Sequence, residues 1–266
     1  MSGMRTLFLA WQDQGPARAW YPIGRFDADV EESLYRFQYI HGAKRAEQEA
    51  GFKPLLAFTS FDEVYESNSL FPLFSNRVMS PKRQDFAEYV RWLSLDESNA
   101  DPIEILTVSG GTRQTDNLEV FPRIEKRDDN TFRCRFFLHG MRHLSEASRL
   151  QAETLESDAP LQVSLEANNP ATGTAITLMS EDYVMLGWAP RYLVADFKKS
   201  IAHNLPVSAR VVQVNPPPAP LNQRVLVEFT GTLPEFYTPM SAEDFDPLIS
   251  TPSQPTVESA ATASSS

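Results

Sequence analysis

Cysteine is almost absent. Cys134 is the only one in 266 residues, which excludes an intrachain disulfide and any cysteine-based metal cluster. Long apolar runs are missing too: no segment approaches the roughly 20 residues needed to span a bilayer. The opening Met1-Ser2-Gly3-Met4-Arg5 has no apolar leader core, so no membrane association and a cytoplasmic location are expected. Positive charge is in short supply, with 24 Lys and Arg against 35 Asp and Glu and a net charge of −11. That balance excludes a protein that coats duplex DNA through its phosphates, which takes a broadly basic face. It leaves room for a pocket that grips a single strand.

Glycine is outnumbered by proline, 11 to 20, while 17 Phe, 8 Tyr and 4 Trp supply large β-favouring side chains. Short strands and fixed turns follow, in an α+β protein that is mostly β. The length suits two small domains. Residues 6–11, 19–26 and 35–39 read as strands of a meander, the last alternating as Tyr35-Arg36-Phe37-Gln38-Tyr39. Residues 42–50 read as a helix closed by Gly51. Ser80 and Pro81 open a second helix reaching about 95, and Asp101-Pro102 a third ending at Gly110-Gly111. The aromatic segment 65–77 should be buried against them. Residues 4–112 thus form a small sheet with two or three helices, and 108–113 a linker.

A second unit, 118–234, opens on the strand Leu118-Glu119-Val120-Phe121-Pro122. It continues with strands at 131–138, 161–165, 175–179, 183–186, 208–214 and 224–229, and with helices at 145–155 and 190–203. The turn Ser180-Glu181-Asp182 predicts a hairpin. Residues 246–266, rich in Ser, Thr, Pro and Ala, bury too little to offset the entropy of ordering and are expected to be disordered. Charge is uneven: residues 123–149 hold seven Lys and Arg against four acids, whereas the last 32 residues hold five acids and no Lys or Arg.

Three spaced motifs carry the functional expectation. They are Gly140-Met141-Arg142-His143, then Asn169-Pro170 followed by Ala175-Ile176, and Leu186-Gly187-Trp188-Ala189-Pro190-Arg191. Their order over residues 121–229 resembles the HIRAN domain. The resemblance implies a modified OB-like β-barrel whose loops hold the 3′ end of single-stranded DNA. It places Arg142, Asn169 and Arg191 where DNA-capturing members have arginine, asparagine and a basic residue, and Trp188 where they have histidine. Their tyrosine and aspartate correspond to Ala171 and Thr172 here, and their aromatic pair after the arginine to His143 and Leu144. Physically, Arg142 offers forked donors to phosphate, His143 or Trp188 a stacking face, Asn169 a bond to a sugar hydroxyl or base edge, and Arg191 a cation at a helix start. The nucleic-acid-binding set is therefore Arg142, His143, Asn169, Trp188 and Arg191. Loop stabilisation by Asn169-Pro170 and a core role for Trp188 are the competing readings.

Over residues 7–109, the segments Trp20-Tyr21-Pro22-Ile23-Gly24-Arg25, Tyr35-x-Phe37-x-Tyr39 and Ser67-x-Ser69-Leu70-Phe71-Pro72 resemble the N-terminal subdomain of HipA-type toxin kinases. No kinase core follows. That resemblance implies an accessory lobe docking on a protein partner, such as a HipA-like kinase or another separately encoded effector. Two functions are thus expected: a non-catalytic module for single-stranded DNA or DNA ends in repair or defence, or a protein-interaction module acting through 4–112. No catalytic constellation, metal site or cofactor is expected. His139 and His143 lack a third ligand, and residues 109–113 lack the lysine and spacing of a phosphate-binding P-loop.

Overall fold

The alternating segments at the start of the chain become a meander of three strands, β1 (Arg5–Gln12), β2 (Trp20–Asp29) and β3 (Leu34–Tyr39). The computed structural model describes residues 3–15, 18–98, 100–113, 115–169 and 173–249. After β3 come α1 (His41–Ala50), β4 (Val64–Ser67), α2 (Pro72–Ser75), α3 (Phe86–Trp92), α4 (Pro102–Ser109) and β5 (Leu118–Pro122). The first sheet is antiparallel in the order β4-β3-β2-β1-β5. One face carries an aromatic core in which Phe26 stacks on Phe74 at 4.1 Å and Phe37 on Phe58 at 3.8 Å. The aromatics of 65–77 are drawn into it as expected.

Helix ends follow their capping chemistry. Asp101 accepts from the N–H groups of Ile103 and Glu104 at 2.8 and 2.9 Å, and Gly110 closes α4 at φ 69°. Gly51 does the same for α1 at φ 69°. The helix expected from Pro81 starts later, at Phe86, because 81–85 hold no apolar residue to pack; Arg83 and Asp85 pair there as a two-pronged exposed bridge.

Next come β6 (Thr131–Phe137), α5 (Glu146–Glu153), β7 (Pro160–Asn169), β8 (Gly173–Met179), β9 (Met185–Trp188), α6 (Val194–Ala202), β10 (Val207–Val214) and β11 (Val225–Thr232). They form a second antiparallel sheet, β6-β11-β10-β7-β8-β9. The protein is therefore α+β and mostly β. The second sheet is not closed as a barrel along its length. Its edges meet at one bridge just past β6, where His139 donates to Trp188 O at 2.9 Å and Trp188 to His139 O at 3.1 Å.

Leu118–Pro122 does not open the second sheet as expected: it pairs with β1 as the edge of the first. The reason lies in its two buried faces. Leu118 and Val120 enter the aromatic core, while Phe121 joins Phe8 and Ala10 against Phe132, Phe229 and Ile176 of the second sheet. Helix α4 is likewise two-sided, with Ile103 and Leu106 on the first core and Ile105 and Val108 against Phe137 and Leu226. The two sheets thus pack on each other through residues of β1, β5 and α4.

Residues 233–249 cross back from the second sheet to the first. Leu233 donates to Asn130 O, Pro247 bridges Ile40, and Leu248 donates to Tyr39 O at 3.1 Å. Residues 246–248, expected to belong to a disordered tail, are held by this backbone pairing; the rest of that expectation, from 250 on, lies outside the described residues. Among the described residues, no helix is long and apolar enough to cross a membrane.

Candidate nucleic-acid interface

Glycine explains how the site's frame is built. Gly140 sits at φ 73°, and a Cβ there would meet the Trp188 ring at 2.4 Å. Gly187, at φ 150°, lets His139 O approach to 2.8 Å of where its Cβ would stand. Both motif glycines therefore serve the bridge between sheet edges, and the Trp188 ring packs on Gly140, which opens the 3-10 turn (141–143) carrying Arg142 and His143. Arg142 Nε donates to His143 Nε2 at 3.0 Å, and both side chains are exposed.

The turn borders a cavity of about 550 Å³ between the sheets, opposite the end of α4 and β5. Arg135, His139, Arg142 and His143 line it from the second sheet, with Ser109, Thr112 and Glu119 across from them. A wall shared by Trp20, Glu119, His139 and Tyr192 separates it from a second cavity of about 420 Å³. This one lies under α1 and the start of α6, and Arg45, Arg191 and Lys198 face it. Together the clefts present five Lys and Arg and two histidines against Glu119 and Asp244, in a chain where acids outnumber bases 35 to 24.

Two carboxylates shape the field. Glu119 is nearly buried, its side chain 11% exposed, with Oε1 at 3.6 Å from His139 Nε2. Burial pushes its carboxyl above the ordinary value, against the pull of His139 and Arg191. Burial also holds Arg191 below its ordinary value, with Glu119 opposing. On the outer face of the second sheet, Glu228 is 3% exposed in its side chain and surrounded by Arg133, Arg135 and Arg210. Burial alone would raise it, but the bonds from Arg210 at 2.7 Å and Arg135 at 3.0 Å outweigh that and hold it low. Arg135 therefore belongs both to this cluster and to the first cleft.

The five residues singled out by sequence are divided among three places. Arg142 and His143 line the first cleft, and Arg191 the second. Trp188 and Asn169 converge elsewhere, on Glu166: Trp188 Nε1 and Asn169 Nδ2 each donate to Glu166 Oε2 at 3.0 Å. Trp188 therefore ties Gly140, against which its ring packs, to Glu166. Ala171 and Thr172 lie outside the described residues.

Sequence reasoning passed over Glu119, Glu166 and Arg135. Glu119 had a signal: it is an acid on the same strand face as Phe121, between Leu118 and Val120. Tyr192 was also missed; it is stacked on Phe121 at 4.4 Å and 7°, with its hydroxyl 3.8 Å from Cys134 Sγ. Burial raises the Cys134 thiol to about 12, which keeps it unreactive. Among the described residues, no three His, Cys, Asp or Glu are placed to hold a metal ion.

No protein-family model and no curated protein matches the chain. A solved structure of a protein from Lactobacillus plantarum aligns over 38% of this chain and 90% of its own, at 15% identity and a TM-score of 0.31. A likeness that slight bears on neither fold nor function.

Proposed function

We propose that this protein is a non-catalytic binder of single-stranded nucleic acid, strand ends included, that works in the cytoplasm. The observation that carries the reading is the charge reversal at the junction of the sheets, where cationic side chains dominate an otherwise acidic chain. A concave, low-dielectric cleft concentrates such a field on an incoming phosphate. Arg142 and Arg135 supply planar donors for phosphate oxygens, His143 and His139 further polar contacts, and the half-buried Trp20 a ring on the shared wall. Because the cleft is confined, it suits a flexible strand rather than a duplex.

Fluorescence anisotropy with labelled single-stranded oligonucleotides, bearing either a 3′-hydroxyl or a 3′-phosphate, tests this. Binding that weakens with salt and falls in R142A supports it; no binding at low salt removes it. The alternative, docking of residues 4–112 on a separately encoded effector, has the outer edge of β4 as its support, since an edge strand offers unpaired backbone groups to a partner. Recovery of one stoichiometric protein partner, with no oligonucleotide binding, would favour it.

A further inference from the structure

The second cleft has the makings of a site in its own right. At about 420 Å³ it falls within the range of small-ligand cavities, roughly 300–1,000 Å³. Its wall is aromatic: Trp20 is half-buried there, and Tyr192 is locked face-on against Phe121. Arg45 stands at one end, taken by Asp244 through a two-pronged bridge of 2.6 and 3.0 Å, so that end is already neutralised. Lys198, exposed on α6, and Arg191 also line the cavity.

The decisive group is Glu119. Neither of its oxygens takes a hydrogen bond among the described residues, and His139 at 3.6 Å is beyond hydrogen-bond reach. Its oxygens open onto the cleft and are not sealed in the core, so an N–H donor on a ligand can reach them. Flat walls, a recessed acceptor and an exposed lysine together describe a nucleotide.

We infer that the second cleft binds a single nucleotide whose base carries an amine-type N–H donor, stacked beside Trp20 and Tyr192, read by Glu119, and with its phosphate on Lys198 and Arg191. Cytosine and guanine present such donors on their pairing edge. Uracil presents one N–H, at N3, between two carbonyls, so its single bond to Glu119 is opposed by the flanking oxygens and it binds more weakly. The site has its own cavity but shares the wall of Trp20, Glu119, His139 and Tyr192 with the first cleft, and its test is read on Lys198, which lines only the second.

Isothermal titration of the full chain with CMP, GMP and UMP tests the inference, repeated on E119Q and K198A. CMP and GMP should bind about tenfold tighter than UMP. E119Q should shrink that preference to about twofold, and K198A should weaken all three nucleotides without changing their order. Lys198 is exposed, so K198A reports even if E119Q unfolds, which thermal melting would reveal. Equal affinity for CMP and UMP in the native protein, no nucleotide binding at all, or nucleotide affinity untouched by K198A would each overturn the inference. None of those outcomes touches the oligonucleotide result, which is read on Arg142 in the other cleft.

Discussion

Replacing Asp196 by asparagine is expected to stabilise the protein above pH 6 and to leave it unchanged near pH 4. Asp196 is fully buried on α6. Its Oδ1 accepts from the Tyr237 hydroxyl at 2.8 Å, while Oδ2 has no partner. Burial raises the carboxyl from 3.8 to about 6, with the bond from Tyr237 opposing. Because the folded value lies above the unfolded one, the folded protein holds this proton more tightly. The stability tied to the protonated form is whole below about pH 4 and is lost as pH rises through 6. A difference of that size corresponds to roughly 3 kcal/mol once the group is ionised in the folded state. Asparagine keeps the acceptor for Tyr237 and never ionises. Urea unfolding of both proteins from pH 4 to 8 checks this, since all other titrations cancel in the difference. A gap between wild type and D196N that stays constant across that range would mean that Asp196 does not change its proton affinity on folding.

Three further outcomes follow from the packing. G140A forces a Cβ into the Trp188 ring at φ 73°, so it should cost at least about 2 kcal/mol and shift tryptophan emission; an unchanged melting temperature would contradict the edge bridge. R77A removes a side chain that is 2% exposed, joined to Asp116 at 2.5 Å and to Gly111 O at 2.8 Å, and should destabilise by about 3 kcal/mol in urea titration. E228Q should cost about 1–2 kcal/mol at pH 7, discounted because its arginine partners are 38–46% exposed. Since the Glu228 carboxyl is held low, its contribution is present at neutral pH and lost as pH falls through its folded value. The gap to E228Q should therefore close in acid.

Local chemistry was legible wherever one residue type has one job. Asp101-Pro102 with Gly110 and Gly51 after α1 each mark a helix end, and the structure puts caps there. Alternating strands were legible for the same reason, down to the hairpin at 180–182. Pairing was not. Leu118–Pro122 reads as a strand, but nothing within five residues says that its neighbour is β1, more than 100 positions earlier. Nor could the sequence tell that Trp188 and Asn169 share Glu166 as an acceptor, or that Gly140 is there to admit the Trp188 ring. Those contacts depend on where β6 and β9 meet. Helix α3 was read too long because Ser80-Pro81 is a good start signal with no apolar stripe behind it until Phe86. The candidate site was half legible: the cations were visible as a local excess in 123–149, while their opposing wall, Glu119 and Trp20, comes from another sheet.

We propose single-strand binding at the cationic junction between the sheets. Fluorescence anisotropy of a 3′-hydroxyl oligonucleotide across a salt series, on wild type and on the R135A/R142A pair, tests it most directly. Losing two phosphate contacts should flatten the slope of log affinity against log salt by about 1.4, along with a clear loss of affinity at low salt. Identical affinity and slope in both proteins would contradict the account.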